Sequence, residues 1–314
     1  MMEAIPFNRL LLLPSDAIKN IRKIHNLDEP GRVVEAINIL REWMKKQDHI
    51  VKKDFSDEYL EKTLISCKGS VEKAKRQIDS LCTMKTMMPR FFAVSNVKAE
   101  LKEMLDLVWL LPLPIVTKDY YRVLMIKIND KHFTSESFMQ YYQYNVILCE
   151  YIKAHDYVNG FIVIDDYSQL NIMELMTKMN VTEVQQYITL LIEGFGARLK
   201  GIHILTESKA IDLFVKTVRQ FLSKKIGDRM YVHPTFEDLH QIVPKEILPV
   251  EYGGTERSIA KLHEDWIEAL SSDEHVEYMK MMSKACTDES KRLSGKFNEE
   301  YLGMPGSFRN LSVD

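Results

Sequence analysis

Residues 194–254 read GFGARLKGIHILTESKAIDLFVKTVRQFLSKKIGDRMYVHPTFEDLHQIVPKEILPVEYGG, and the fold turns on how this stretch divides. Gly201-Ile202-His203-Ile204-Leu205 is short, apolar and closed by the polar Thr206-Glu207-Ser208, the form of a buried strand. Ser208 can begin a helix on which Ile211, Phe214, Val218 and Phe221 face one way and Lys216 and Arg219 the other. Arg229-Met230-Tyr231-Val232-His233 then reads as another strand. A strand, an amphipathic helix and a strand in succession is the unit from which parallel sheets are built, because parallel neighbours need a crossover.

The same alternation runs back toward the N-terminus. Val123-Leu124-Met125-Ile126-Lys127-Ile128 and Phe161-Ile162-Val163-Ile164, the latter opened by Gly160 and closed by Asp165-Asp166, are two more continuous apolar runs of strand length. Between them Phe138, Tyr141, Asn145, Leu148 and Ile152 form one stripe of a helix. Thr182-x-x-Gln185 predicts a capping-box start for a helix carrying Val184, Tyr187, Ile188, Leu191 and Phe195. Residues 14–92 read differently, as short helices only: Val33, Val34, Ile37, Leu40, Trp43 and Met44 recur at helical spacing, Ser56 or Asp57 caps the next helix, and Gly69-Ser70 breaks the chain before Val71, Ala74 and Ile78. No strand is predicted before residue 110. The expected organisation is an N-terminal helical domain (1–95), an α/β domain with a mostly parallel sheet (96–255) and a polar, partly helical tail (256–314), without internal repeats.

The chain has 314 residues, 42 Lys+Arg against 45 Asp+Glu and a net charge of −3. With 46% hydrophobic residues, 12 Gly and 10 Pro it is neither collagen-like nor disordered, and its charge balance argues against a nucleic-acid partner. Cys67, Cys82, Cys149 and Cys286 lie far apart and form no CxxC, as expected of free thiols in a reducing compartment. The N-terminal MMEAIPFNRLLLLPSD lacks the basic start of a secretory signal, so the sequons at Asn180 and Asn310 are read as chance. The longest apolar run, Leu107 to Val116, contains Pro112 and Pro114 and is about half of the ~20 residues a membrane span needs. No transmembrane segment and a cytoplasmic location are the expectation.

Catalytic signatures are missing from the sequence. There is no HExxH, GxSxG or Walker A; Gly295-Lys296 is followed by Phe297, and Gly194-Phe195-Gly196 falls at the end of a predicted helix, whereas a phosphate loop would open one. The nine His show no ligand spacing, so no metal is expected and His203 is read as a hydrogen-bonded strand residue. Asp165-Asp166 is a carboxylate pair at a strand end, where aspartates commonly cap the following turn. With neither nucleophile, metal site nor phosphate loop, a binding protein without cofactor is expected, not an enzyme.

Arg198 before Gly201-Ile202-His203, then Phe221-Leu222 with Lys225 and Arg229, then Leu248-Pro249 with Glu251-Tyr252-Gly253-Gly254, together resemble the core of the CRAL-TRIO lipid-binding family. Residues 33–92 look like that family's N-terminal domain, and Gly306-Ser307-Phe308-Arg309-Asn310-Leu311 looks like the tail of its insect-type, alpha-tocopherol transfer protein-like branch. In place of the family's usual Pro ahead of the Arg198 segment the chain has Gly196. The resemblance implies an α/β domain with an apolar cavity, closed by helix 209–222 acting as a lipid gate. It implies a pocket lined by Tyr144, Ile147, Tyr151, Phe161, Val163, Tyr187, Leu191, Phe195, Ile202, Ile204, Phe214 and Val218, the tyrosines fixing a polar end of the ligand. It further implies phosphoinositide binding by Arg198, Lys200, Lys225 and Arg229, with Lys68 supplying a cation from the N-terminal domain and Lys209, Lys216, Arg219 and Lys224 extending the patch. The implied function is cytosolic binding and intermembrane transfer of a hydrophobic small molecule (tocopherol, retinoid, carotenoid or similar lipid), released at phosphoinositide-containing membranes with which the protein associates peripherally. The alternative is a phosphoinositide-dependent trafficking or signalling adaptor.

Overall fold

A computed structural model of the chain describes residues 7–129 and 133–293. The N-terminal part is built of α1 (Ala17–Ile24), α2 (Arg32–Lys45), α3 (Asp57–Ser66) and α4 (Val71–Met87). Ser56 and Ser70 accept hydrogen bonds from the Tyr59 and Lys73 backbone N–H groups and so cap α3 and α4. Between these helices Lys68 and Gly69 both take positive φ (56° and 75°), the left-handed turn that stops α3. Leu40, Met44, Leu60, Leu64 and Ala74 close a small core of their own. Two short helices, α5 (Val97–Glu100) and α6 (Lys102–Leu107), lead to the sheet.

The sheet has five strands in the order β1 (Val108–Pro112), β2 (Tyr121–Ile128), β3 (Gly160–Asp166), β4 (Leu199–Leu205) and β5 (Met230–His233). β2 to β5 are mutually parallel and β1 is antiparallel to β2. The crossovers are α7 (Ser135–His155) between β2 and β3, α8 (Ile172–Lys178) and α9 (Val181–Thr189) between β3 and β4, and α10 (Ile211–Arg219) with α11 (Lys224–Gly227) between β4 and β5. The mixed α/β architecture with a mostly parallel sheet is the one the strand–helix alternation predicts.

The structure corrects the sequence reading at four places. β1 begins at Val108, inside the apolar run Leu107 to Val116 in which the sequence reading places no strand; as an edge strand ending at Pro112 it loses no ladder hydrogen bond to the proline. α9 is capped by Asn180, whose side chain accepts from the Thr182 and Glu183 N–H groups, so no capping box starts at Thr182. Its last turn widens into a π turn, Leu190–Gly194. Ser208 accepts from Ile211 N–H through its carbonyl (3.1 Å) and opens only a turn, and α10 begins at Ile211 without a side-chain cap.

The fourth correction concerns the C-terminal part, which is not an appended tail. α12 (Ile259–Leu270) and α13 (Asp273–Met282) bury Ile259, Leu262, Trp266 and Leu270 completely, and the Trp266 indole donates to the Pro112 carbonyl (3.0 Å). Residues 285–292 then return to α4. Thr287 exchanges hydrogen bonds with Thr86, and the Arg292 guanidinium donates to Asp79 (3.0 and 3.1 Å) and Thr83 (2.7 Å). Residues 294–314, with Gly295-Lys296, the Asn310 sequon and the 306–311 motif, lie outside the described residues, as do residues 1–6.

Candidate functional site: an apolar cavity and a cationic patch

Alternate residues of the strands face one side of the sheet: Leu124, Ile126 and Ile128 of β2, Phe161, Val163 and Asp165 of β3, Ile202 and Ile204 of β4. α7 lies over them with the stripe Phe138, Tyr141, Asn145, Leu148 and Ile152, and α9 with its π turn adds Val184, Tyr187, Ile188 and Leu191. α10 closes the space with Phe214 and Val218, and Phe214 meets the Tyr167 ring edge-on at 5.7 Å. The result is a cavity of about 230 Å³. A cavity of ~150 Å³ holds benzene, so this one has room for on the order of ten heavy atoms before its walls move.

Of the pocket residues implied by the resemblance, Phe161, Val163, Tyr187, Leu191, Ile202, Ile204, Phe214 and Val218 line this cavity. Tyr144, Ile147 and Tyr151 do not. They occupy a neighbouring face of α7, roughly a third of a turn away. There the Tyr144 phenol donates to the Leu110 carbonyl (3.2 Å), Tyr151 accepts from Asn8 (3.2 Å) and packs edge-on against Trp266 and His275, and Ile147 is fully buried. Phe195 lines a second cavity of about 90 Å³, between the helical domain and the sheet, together with Lys62, Lys153 and Arg198. In place of the misassigned tyrosines the structure puts Tyr141, Tyr142 and Tyr167 in the main cavity, with Asn145 and Asp165. The α7 stripe had marked Tyr141 and Asn145 from periodicity alone.

The cavity is apolar except on one wall. Burial pushes the Asp165 carboxyl up to about 7. Burial likewise holds the phenols of Tyr141, Tyr142, Tyr167 and Tyr187 above their ordinary range, so they stay neutral donors. Asp166, facing the other side of the sheet, accepts from the Tyr252 phenol (2.6 Å) and caps Ser168. His203 sits beside His233 (3.0 Å) and stacks on Tyr231; burial depresses it to about 4. Among the described residues no group of three or more His, Cys, Asp or Glu is arranged to hold a metal ion, and no helix is long and apolar enough to cross a membrane.

The cationic residues meet at the junction of the helical domain with β4 and α11. Lys225, Arg198, Lys73 and Arg229 all act on Lys68 and hold its ammonium below the ordinary lysine range. None of these five has an ion-pair partner among the described residues. Arg198 leans on the His25 ring (2.9 Å); burial first, then the Arg198 charge, depresses His25 to about 4, and its ring also contacts the Asn159 amide oxygen (3.1 Å). Lys73 escaped the sequence reading. Its signal was position: a cation in the first turn of α4 opposes the helix dipole, which favours anions there.

Lys200, Lys224 and Arg219, by contrast, are engaged elsewhere. Lys200 pairs with Asp119 (3.0 Å) over the Tyr121 ring, and Lys224 pairs with Asp228 (2.7 Å). Arg219 donates to the Gly227 carbonyl (3.0 Å), tying α10 to the turn before β5.

This sheet with a helix-roofed cavity defines a protein built around an apolar ligand-sized space. The CRAL/TRIO domain matches residues 110–254, and a Pinta-like UBA domain matches residues 29–101. Residues 110–254 are thus a CRAL/TRIO domain, a little under half of the chain. It is similar to alpha-tocopherol transfer protein-like of Mus musculus, 25% identical over 235 residues (73% of this chain, 67% of that one), and of Homo sapiens, 23% identical over 266 residues (82% and 76%). Clavesin-2 of Rattus norvegicus is 34% identical over 98 residues, 31% of this chain and 30% of its own. The crystal structure of Sfh5 shares the fold at a TM-score of 0.50 and 10% identity, over 87% of this chain and 99% of that chain. Together these likenesses support lipid binding in the broad sense.

Proposed function

We propose that the protein carries a hydrophobic small molecule (a tocopherol, retinoid, carotenoid or similar lipid) in the cavity under α7, α9 and α10, and releases it at membranes that display phosphoinositides. The observation that carries this reading is the coexistence, in one chain, of an apolar cavity and a cluster of five cations that no carboxylate of the described residues neutralises. Burying ligand surface contributes about 25 cal/mol per Å² before the costs of ordering it are subtracted, and no catalytic group is needed. Lys68, Lys73, Arg198, Lys225 and Arg229 offer charge-assisted donors of the kind that bind phosphate groups. Such a cluster also draws a net-acidic chain to an anionic leaflet, which supports peripheral membrane association from a cytoplasmic location. α10 is the gate in this reading, since it covers the cavity with Phe214 and Val218 while turning Asp212, Lys216 and Arg219 outward.

Solvent extraction of the purified protein, with mass spectrometry of the extract, tests the reading together with vesicle-to-vesicle transfer. A stoichiometric apolar small molecule, moved faster between vesicles when the acceptor contains phosphoinositide, is the expected result. A bound phospholipid with no acceleration of transfer would overturn it in favour of a phosphoinositide-dependent adaptor.

A further inference from the structure

The polar groups of the main cavity are gathered on the wall where β3 meets α7 and α9. Phe161, Val163 and Asp165 are successive inward positions of β3. In register, Asp165 stands between Ile126 of β2 and Ile204 of β4, both also facing the cavity. A carboxyl at such a position, only 9% exposed, has no hydrogen-bond partner among the described residues. From α7, Asn145 faces the same cavity at 2% exposure, and its amide Nδ2 has no partner either. Tyr141 is close enough to Asp165 for that charge, after burial, to raise its phenol, and Tyr187 crosses the Tyr141 ring edge-on at 5.8 Å. A buried carboxyl without a hydrogen bond and a buried amide with an unpaired Nδ2, facing one apolar space, are costly in a core that could have held leucines. They are accounted for when an occupant brings the missing partner.

Building on the carrier reading above, we propose that Asp165 and Asn145, flanked by the Tyr141 and Tyr187 phenols, form a polar subsite that selects an amphiphile with an uncharged oxygen head (hydroxyl or carbonyl) and rejects both the plain hydrocarbon and the carboxylic acid. The neutral carboxyl of Asp165 and the Asn145 amide supply donors and an acceptor to such an oxygen. A carboxylate head would lose its hydration in a cavity whose lining holds no Lys or Arg to replace it. The direction of the ligand follows: its head lies at the C-terminal end of β3, and its tail runs back past Val163 to Phe161, four residues or about 13 Å along the strand.

A matched set of branched C20 chains, one the alcohol, one the hydrocarbon and one the acid, extracted at equilibrium from phosphatidylcholine vesicles by the full-length protein, tests this. Wild type should bind the alcohol at least about tenfold better than the hydrocarbon or the acid. Asp165→Leu and Asn145→Leu should shrink the alcohol preference over the hydrocarbon to about twofold or less while retaining hydrocarbon binding, which shows the variants are folded. Asp165→Asn, which keeps a donor and an acceptor, should retain most of the alcohol preference. Equal binding of alcohol and hydrocarbon by wild type, or an unchanged preference in Asp165→Leu, would overturn the subsite while leaving the carrier reading standing. Failure of all three chains to bind wild type would overturn the cavity as a carrier site and the subsite with it.

Discussion

At the scale of single residues, Asp165 makes folding depend on pH in an unusual direction. Its folded-state position near 7 is above the ordinary aspartate value of 3.8, so the folded chain keeps a proton that the unfolded chain has lost. Stability from this group is therefore full below about pH 4 and is lost as pH rises toward 7. Asp165→Asn should be more stable than wild type at pH 8, by up to about 4 kcal/mol, with the gap shrinking toward pH 4. Urea unfolding at pH 8 and pH 5 measures it, and the shared histidine titrations cancel in the difference; a gap independent of pH would show that Asp165 is ordinarily ionised. Gly196 is a second residue whose identity is dictated by its surroundings. It holds φ at 69°, and a Cβ there would lie 2.5 Å from the Gln77 side chain, so the Pro usual at this point in the family has no place here.

At the scale of elements, α10 and the cation cluster separate two functions that the carrier reading joins. Val218→Asp places a charge on the half-buried inner face of α10 and should abolish ligand loading while leaving the far-ultraviolet spectrum intact. Normal loading would remove α10 from the cavity roof. Arg198→Ala combined with Arg229→Ala should weaken binding to phosphoinositide vesicles at least tenfold and spare loading, as read by vesicle flotation beside ligand extraction. Unchanged flotation would dissolve the phosphate site. α7 explains why part of the site was misread. Its periodic stripe of Phe138, Tyr141, Asn145, Leu148 and Ile152 already pointed at the cavity, whereas Tyr144, Ile147 and Tyr151 were assigned by likeness to other proteins and lie away from it, Tyr144 against β1 and Tyr151 against α12 and α13. A helix buried on both faces shows no polar side from which to tell the two apart.

The whole molecule is held as one unit by buried polar ties between its parts. The Arg122 guanidinium, with no exposed surface, holds Asp156 through two hydrogen bonds of 2.9 and 2.8 Å. Lys85 of α4 pairs with Glu150 of α7 (2.6 Å) and also donates to the Met282 carbonyl at the end of α13 (3.0 Å). Arg292 clasps Asp79 and Glu289, both largely buried. Arg292→Ala strands those carboxylates and should cost about 3 kcal/mol, seen as a lower urea midpoint in a single transition followed by tryptophan fluorescence. A separate early transition for the helical region would mean that the C-terminal return does not couple the parts.

By itself the sequence determined the four parallel strands, the crossover helices and the N-terminal helices, because strand-length apolar runs, 3.6-residue stripes and Ser caps are local signals. Eight of the twelve pocket residues that the resemblance implied lie on the cavity wall, and four of the five cations that act on one another were named from residue types at recognisable positions. Only the tertiary structure decided that a proline-flanked run is an edge strand, that the polar C-terminal segment buries Trp266, and that Lys73 joins the patch while Lys200 turns to Asp119. The side of α7 that meets the ligand space was settled there too. Each of these depends on which distant segment arrives opposite a given side chain, and the energy of a buried carboxyl such as Asp165 is set by those neighbours and by the water they exclude.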